Sequence, residues 1–187
     1  KREFFDTQID GTIHTNIKEH SDLLSKMPFE LEPHQNFVRN FMSFQTPYNS
    51  LLLYHDVGTG KTCSAISISE EMRIYMKQLG ITKRIIVVAS PAVQENFKIQ
   101  LFDERKLKQV NGLWNIKACT GNKFIKEVNP MNMKGLTRDK IVKQIKKIIR
   151  QSYEFMGYIE FANKIDKLIK KINVSGDNDR KRKRKIN

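Results

Sequence analysis

Short apolar runs alternate with amphipathic stretches along the middle of this chain. Three runs, over residues 51–54, 84–89 and 114–119, predict strands, and the first two are apolar enough to be buried on both faces. The segments between them, residues 63–79 and 91–103, carry apolar residues at helical spacing and predict helices. This β-α-β-α-β order predicts an α/β fold, a parallel sheet with helices on both faces.

The segments on either side of this middle part have different patterns. Residues 1–20 show no sustained period, and a short helix capped by Ser21 or Asp22 is expected to stop at Pro28, so residues 1–27 are predicted to form an N-terminal arm. Pro33 is suited to open the next helix. Towards the carboxyl end, isoleucines on one face and lysines on the other predict basic helices over residues 137–150 and 160–172. A short strand within residues 153–158 is expected to separate these two helices.

The net charge of +14 lies entirely in the second half of the chain. Residues 1–102 hold 11 basic and 11 acidic side chains, whereas residues 103–187 hold 23 basic and 9 acidic ones. Such a basic half favours a polyanionic partner, most simply DNA or RNA, although lysines also serve only to keep helix faces hydrated. From Ser175 the chain lacks a core pattern and is predicted to be a disordered basic tail. The run Arg180–Lys185 is either a localisation or nucleic-acid segment or a solvated loop.

Cys63 and Cys119 form no metal-spaced cluster and no disulfide framework. We therefore expect a reducing compartment, with Cys63 as a small packing residue. The sequence has no signal-peptide pattern and no apolar run near the ~20 residues that a membrane span needs, so no membrane partner is expected.

A glycine-rich loop follows the first apolar run and ends in Lys-Thr before the first long helix. Glycines allow successive backbone N–H groups to turn inward on an anion, and a helix N-terminus adds its dipole. Lys61 offers a charge for the β- and γ-phosphates, and the Thr62 hydroxyl can ligate Mg²⁺. These two are the predicted catalytic residues of a nucleotide site. The predicted phosphate-binding residues are His55, Asp56, Val57, Gly58, Thr59, Gly60, Lys61, Thr62 and Cys63.

Two further segments bring the chain close to a known family. Leu31-Glu32-Pro33-His34-Gln35 resembles the adenine-reading motif of superfamily 2 helicases, and residues 85–91 with Asn96-Phe97 resemble their motif Ia. Within that superfamily the phosphate loop and the segment Tyr153–Phe161 are similar to helicase-like proteins of the large nucleocytoplasmic DNA viruses. Those proteins include the early transcription factor small subunit and nucleoside triphosphate phosphohydrolase I. The resemblance covers roughly residues 25 to 165 and departs from the full phosphate-loop pattern at His55, where a glycine is usual.

The resemblance implies the first, RecA-like lobe of an ATP-dependent helicase or translocase acting on DNA or RNA in viral transcription. Gln35 would read adenine, because an amide matches its donor and acceptor edge. Nucleic-acid contacts are implied for Ser90, Pro91, Asn96, Thr120 and Gly121. The chain divides into an arm (1–27), the first part of the ATP-binding lobe (28–121), a basic helical segment of the same lobe (122–174) and the tail (175–187). The host cytoplasm, in a viral factory, or the virion is the implied location.

The family's acidic pair that holds Mg²⁺ has no counterpart in this sequence. Asp103-Glu104 is the single Asp-Glu pair, and it follows a predicted helix rather than an apolar strand, which indicates a helix-end pair. We therefore expect part of a larger protein, which by itself binds ATP weakly and hardly hydrolyses it. Two alternatives remain open: a DNA-binding transcription-factor subunit in which the ATPase is secondary, and a phosphate-loop NTPase unrelated to helicases.

Overall fold

The computed structural model describes residues 30–131 and 135–184, together with Thr7, Asn16, Lys18, Glu19 and Asp22. Residues 173–184 are described by their backbone alone. The predicted arm over residues 1–27 and the last three residues of the predicted tail therefore lie almost wholly outside the described residues. Among the helices described, none has the length and apolar character needed to cross a membrane.

Helices and short strands alternate along the described chain. The helices are α1 (Pro33–Phe41), α2 (Lys61–Gln78), α3 (Pro91–Leu101), α4 (Lys123–Val128), α5 (Arg138–Ser152) and α6 (Tyr158–Arg184). The strands are β1 (Ile85–Val88), β2 (Leu107–Val110), β3 (Leu113–Ile116) and β4 (Tyr153–Met156). The predicted helices at Pro33, after the phosphate loop, after Ser90 and after Thr137 are thus confirmed.

A small parallel sheet forms from β1 and β4, in the register that pairs Ile85 with Tyr153 and Val88 with Met156. Ala89 N extends the ladder by donating to Met156 O at 3.2 Å. Because side chains alternate along a strand, Ile85 and Val87 lie on one face and pack against the core. The parallel pairing is compatible with the predicted α/β class. Ile86 on the opposite face is exposed, so that face is not fully covered by described residues.

The third predicted strand exists, but the prediction that it joins the parallel sheet is wrong. Leu113–Ile116 pairs antiparallel with Leu107–Val110 in a separate hairpin instead of joining the parallel sheet. The two residues between these strands, Asn111 and Gly112, have φ values of 52° and 80°. A two-residue turn with both residues left-handed matches the twist of a hairpin, and Asn-Gly is its usual sequence.

The first predicted strand is also wrong, because Leu51–Tyr54 has no ladder partner among the described residues. Leu52 is 84% exposed and Tyr54 is 93% exposed. A buried strand in a parallel sheet needs hydrogen-bonded neighbours and cover on both faces. The described chain supplies only β1 and β4 to that sheet, so the apolar character of this segment is not enough to make it a strand.

The core lies between the helices and the inner face of the parallel sheet. Its most deeply buried side chains come from α2, α3, α4 and α5, and they are Ile66, Leu101, Phe124, Ile141 and Ile145. Residues from both sides of position 122 therefore share one core. Burial of side chains of this size stabilises a fold by about 1.5–3 kcal/mol each relative to exposure.

Two other sequence-based expectations need correction. Helix α6 continues to Arg184, so the chain from Ser175 to there is helical rather than disordered. Lysine and arginine, which dominate this stretch, are good helix formers. Cys63 and Cys119, expected as separate residues, are joined in a disulfide with their Cα atoms 5.2 Å apart. The first turn of α2 and the loop before α4 bring them within the usual bridging distance.

Candidate nucleotide-binding site

The glycine-rich loop makes a tight turn that leads directly into α2. Thr59 anchors the turn, since its backbone N–H and its hydroxyl both donate to Asp56 O, at 3.5 and 2.9 Å. Gly60 has a left-handed φ of 81° and is the N-cap of α2, and Ser64 N donates to Gly60 O at 3.0 Å. The backbone N–H groups of the first helical turn have no partner within the helix, as an anion-binding terminus requires.

The side chain of Lys61 spans this loop. Its ammonium donates to the backbone carbonyls of His55 and Asp56, both at 2.8 Å. The charge therefore lies against the start of the loop. Phosphate oxygens are stronger acceptors for an ammonium than neutral carbonyls, so they can replace these two bonds.

Helix α1 holds the loop from the side through two consecutive residues. His34 Nε2 donates to Thr59 O at 3.0 Å, and Gln35 Nε2 donates to Gly60 O at 3.5 Å. Gln35 is only 5% exposed, and its Oε1 accepts from Glu32 N at 3.1 Å. The structure thus brings the predicted adenine reader to the phosphate loop across 25 residues of sequence, with both of its amide atoms bonded to protein. His34, absent from the predicted site, is the loop contact that sequence reasoning missed, although the same motif contains it.

His55, at the position where a glycine is usual, lies beside His34. The two imidazole rings are 5.7 Å apart between centroids and meet edge to face. Within the described chain, His55 Nδ1 is buried without a hydrogen-bond partner. Residue 55 therefore places an aromatic ring against the loop instead of leaving space there.

Thr62 lies half-buried in the first turn of α2, where its hydroxyl is suited to a magnesium ion. Among the residues that the structure describes, no group of three or more His, Cys, Asp or Glu side chains is arranged to hold a metal. Asp103 binds the guanidinium of Arg105 at 2.9 and 3.1 Å, and these bonds lower the pKa of the Asp103 carboxyl. Glu104 pairs with Lys146 at 2.6 Å. Both carboxylates follow α3 in ion pairs, which confirms the helix-end interpretation.

The predicted nucleic-acid residues do not form one surface. Ser90 and Pro91 line a groove at the carboxyl end of β1, whereas Thr120 and Gly121 line a separate cavity beside α1 and α2. Thr120 is buried and donates its hydroxyl to Leu101 O at 3.1 Å, which ties the end of α3 to the loop before α4. Asn96 is exposed on α3.

A buried charge network links α2 to the parallel sheet. Arg73 contacts Glu70 and Glu127 at 2.9 and 2.8 Å, and the Tyr153 hydroxyl donates to Glu70 at 2.6 Å. Burial opposes the charge on Arg73, but the two carboxylates outweigh it and raise the pKa of its guanidinium. Burial, together with the adjacent Glu70 carboxylate, raises the pKa of the Tyr153 hydroxyl, so it stays a donor. Glu70 and Arg73 have the local i,i+3 spacing of a helical ion pair, but nothing in the sequence indicates their partners Glu127 and Tyr153, which lie up to 83 residues away.

Known proteins from large DNA viruses are similar to this chain. It is 28% identical over 154 residues, 81% of its length, to "Putative ATP-dependent RNA helicase" of Acanthamoeba polyphaga mimivirus. It is 29% identical over 149 residues, 78% of its length, to "Putative helicase" of Frog virus 3. It is 27% identical over 148 residues, 73% of its length, to "Early transcription factor large subunit homolog" of African swine fever virus, where the motifs had suggested the small subunit.

These relatives are much longer proteins, and the chain covers only 12 to 14% of their lengths. No family model matches the chain, and no solved structure matches it either. Each of these matches covers so much of the chain that it includes the phosphate loop and the segment after it. The chain is thus homologous, over about three quarters of its length, to a segment of the proteins that large DNA viruses carry under the names of helicases and early transcription factor subunits.

Proposed function

We propose that this chain is the nucleotide-binding part of an ATP-dependent superfamily 2 helicase or translocase, with a RecA-like lobe, that acts on DNA or RNA in viral transcription. The observation that carries the proposal is the position of Lys61, whose ammonium spans the glycine-rich loop at the start of α2. The names of the viral relatives support the reaction class.

The loop and the start of α2 offer three kinds of contact to ATP: backbone amides, an ammonium and a hydroxyl. The amides that open α2 and the Lys61 ammonium receive the phosphates, and Lys61 exchanges its two carbonyl partners for phosphate oxygens. Thr62 would hold Mg²⁺, which neutralises charge that develops on the phosphates during transfer. The hydrogen bonds from α1 hold the loop in this position.

Gln35 provides the preference for adenine. Its Nε2 bond to Gly60 O is long, at 3.5 Å, and can be exchanged for a hydrogen bond to the adenine edge. We expect ATP to bind more tightly than GTP, and Gln35→Ala to remove that preference. His34→Ala is the matched control, because it also releases the loop from α1 but should weaken ATP and GTP equally.

The test of the phosphate site is calorimetric titration of ATP with Mg²⁺ into the full chain. Because a hydrogen bond to a charged group is worth about 1.5–3 kcal/mol, Lys61→Ala should weaken binding by ~10- to 100-fold. Lys108→Ala, on the exposed strand β2, removes the same charge away from the loop and should leave ATP affinity unchanged. Equal ATP affinity in wild type and Lys61→Ala would refute the proposal.

A second candidate is a transcription-factor subunit that binds DNA and in which the ATPase is secondary, favoured by the similarity to the African swine fever virus protein. Promoter-specific binding without ATP would favour it, whereas ATP hydrolysis stimulated by any DNA or RNA sequence would favour the translocase. A non-helicase NTPase predicts no stimulation by nucleic acid and no effect of Gln35 on base preference.

Hydrolysis requires more than the described residues offer. The Asp-Glu pair of the sequence is already engaged, since Asp103 pairs with Arg105 and Glu104 pairs with Lys146. The 187 residues alone should therefore bind ATP and hydrolyse it very slowly. Fast hydrolysis that Lys61→Ala abolishes would contradict the conclusion that the described residues lack groups needed for catalysis. The location implied by the helicase motifs, a viral factory of the host cytoplasm or the virion, stays a prediction.

A further inference from the structure

The disulfide between Cys63 and Cys119 ties the end of the phosphate loop to a distant part of the fold. Cys63 is the residue after Thr62 and lies in the first turn of α2, whereas Cys119 lies in the loop before α4. The two cysteines are 56 residues apart in the sequence. The bridge is therefore a covalent contact between the candidate nucleotide site and a segment outside it.

The partner segment is well held. Cys119 lies in a tight turn that is closed by a hydrogen bond from Gly121 N to Ala118 O at 2.8 Å. Cys119 is 7% exposed, and the hydroxyl of its buried neighbour Thr120 donates to Leu101 O. The first turn of a helix, by contrast, lacks part of its intrahelical hydrogen bonds, and helix ends fray. The bridge thus fastens the less constrained end of α2 to a buried turn of the core.

The fastened end of α2 carries the backbone amides that the proposed function assigns to the phosphates of ATP. A backbone that is already held in its bound conformation loses less conformational entropy when the ligand binds. Each residue whose backbone the ligand has to order reduces the affinity by about 5- to 30-fold. An intact bridge should therefore favour nucleotide binding.

The bridge is within reach of small reagents. A cavity of about 320 Å³ lies between α1, α2 and the loop before α4, and its walls include Cys119, Asn36 and Ser67. This volume is in the range of pockets that admit small molecules. The compartment predicted for the chain is reducing, and disulfides in such compartments are usually transient and redox-sensing.

We propose that the bridge between Cys63 and Cys119 is a redox switch of the nucleotide site, opened by a small dithiol and closed by a small disulfide. A thiolate of the dithiol attacks Cys119 Sγ, the bond between the two cysteines breaks, and Cys63 leaves as a thiolate. The second thiolate of the dithiol then displaces Cys119 and closes the reagent into a cyclic disulfide. Two electrons pass to the bridge, and the two protons of the dithiol end on Cys63 and Cys119.

The switch rests on the proposed function and deepens it, because it names a regulation of the same site. Its test is calorimetric titration of ATP with Mg²⁺ into the oxidised full chain and into the same chain reduced with dithiothreitol. Reduction should weaken ATP binding by about 5- to 30-fold, the factor for one residue that must be ordered. GTP should lose the same factor, since the bridge acts on the phosphate-binding turn and not on the base. Oxidised glutathione should restore both affinities.

Two variants separate the bridge from other effects of reduction. The double variant Cys63→Ser/Cys119→Ser should bind ATP as the reduced wild type does, with or without dithiothreitol. Tyr153→Phe keeps the bridge but loses the buried hydrogen bond to Glu70, so it tests the effect of lower stability alone. It should bind ATP as the oxidised wild type does. Far-ultraviolet circular dichroism at the titration temperature checks that each form is folded.

The results separate the switch from the proposed function. Equal ATP affinities of the oxidised and reduced chains would overturn the switch alone, as would an equal loss of affinity in Tyr153→Phe. Loss of the helical signal on reduction would also overturn it, because the bridge would then hold the whole fold. The same holds for a bridge that dithiothreitol opens only in denaturing urea. An oxidised chain that binds no ATP would instead refute the proposed function together with the switch.

Discussion

The contact between α1 and the phosphate loop can be measured through the two glycines of that loop. Gly58 and Gly60 have φ values of 88° and 81°, so alanine is strained at both positions. A Cβ at Gly58 would meet no atom within 4 Å, whereas a Cβ at Gly60 would overlap the side-chain nitrogen of Gln35. The two substitutions therefore share the backbone strain and differ in the displacement of one buried amide.

The expected magnitudes follow from these two terms. The left-handed conformation costs a residue with a Cβ about 1–2 kcal/mol, so Gly58→Ala should lower the free energy of unfolding by that amount. Gly60→Ala should cost the same strain plus the hydrogen bonds of Gln35, at about 1 kcal/mol for each of the two. Its total is then about 3–4 kcal/mol.

The assay is a double-mutant cycle of urea unfolding, followed by the fluorescence of Trp114, the single tryptophan. In a Gln35→Ala background the overlap is absent, so Gly60→Ala should cost only the strain. The coupling energy between positions 35 and 60 should be about 2 kcal/mol, and that between 35 and 58 should be near zero. Equal costs of Gly60→Ala in both backgrounds would refute the assignment of Gln35 to the loop.

Three further predictions concern stability. Tyr153→Phe removes the hydrogen bond to the buried carboxylate of Glu70 and should cost about 1.5–3 kcal/mol in urea unfolding. Replacing Cys63 and Cys119 by serine opens a loop of 56 residues and should cost roughly 4 kcal/mol, as should reduction of the wild type. Burial opposes ionisation of Glu127, but hydrogen bonds from two cationic side chains outweigh it and lower its pKa. The folded state then binds fewer protons, so this stabilisation is complete above the ordinary glutamate pKa and is lost as the pH falls through the lowered one.

The controls for these predictions use the same chain. Tyr158→Phe removes an exposed hydroxyl and should leave the free energy of unfolding unchanged, so an equal loss in both tyrosine variants would contradict the role of the buried bond. Alkylation and mass spectrometry of the unreduced, denatured protein should find no free thiol; two alkylated cysteines would contradict the bridge. In Glu127→Gln the decline of stability between neutral and acid pH should be shallower, and an unchanged profile would exclude Glu127 as its source.

Periodicity and helix-start signals were enough to predict five of the six described helices and the positions of β1 and β4, but α4 was not predicted and α6 extends beyond its predicted end. Pro33 and Pro91 both stand at the first position of a helix. The predicted apolar face of α5 is confirmed, because Ile141, Val142 and Ile145 are buried. The order of apolar runs and helical segments predicted a parallel sheet, but with residues 51–54 and 114–119 beside β1 instead of β4. Such signals are local, and helices depend on local signals more than strands do.

Strand partners could not be predicted in the same way. Leu51–Tyr54 has the composition of a buried strand, yet no described strand lies beside it, and composition carries no information about neighbours. The hairpin at Asn111-Gly112 could have been predicted, because that dipeptide between two apolar stretches is a strong turn signal. This turn signal predicts an antiparallel partner for β3.

In the candidate site, too, the local features could be predicted from the sequence and the tertiary contacts could not. The glycines, Lys61 and Thr62 are contiguous and were identified from their spacing. The contacts of His34 with Thr59 and of Gln35 with Gly60 join segments 25 residues apart, so only the fold reveals them. The bond of Glu70 with Tyr153 is likewise tertiary, whereas its bond with Arg73 joins residues three apart within α2.

The bridge between Cys63 and Cys119 makes a closed covalent ring out of α2, the first strand of the sheet, α3 and the hairpin. A protease that cuts the backbone once inside this ring releases no fragment, because both halves remain attached through the two sulfur atoms. Electrophoresis would show such a nicked molecule at full mass until a thiol reagent is added. Cuts before residue 63 or after residue 119 would separate at once, so digestion under the two conditions maps the ring directly.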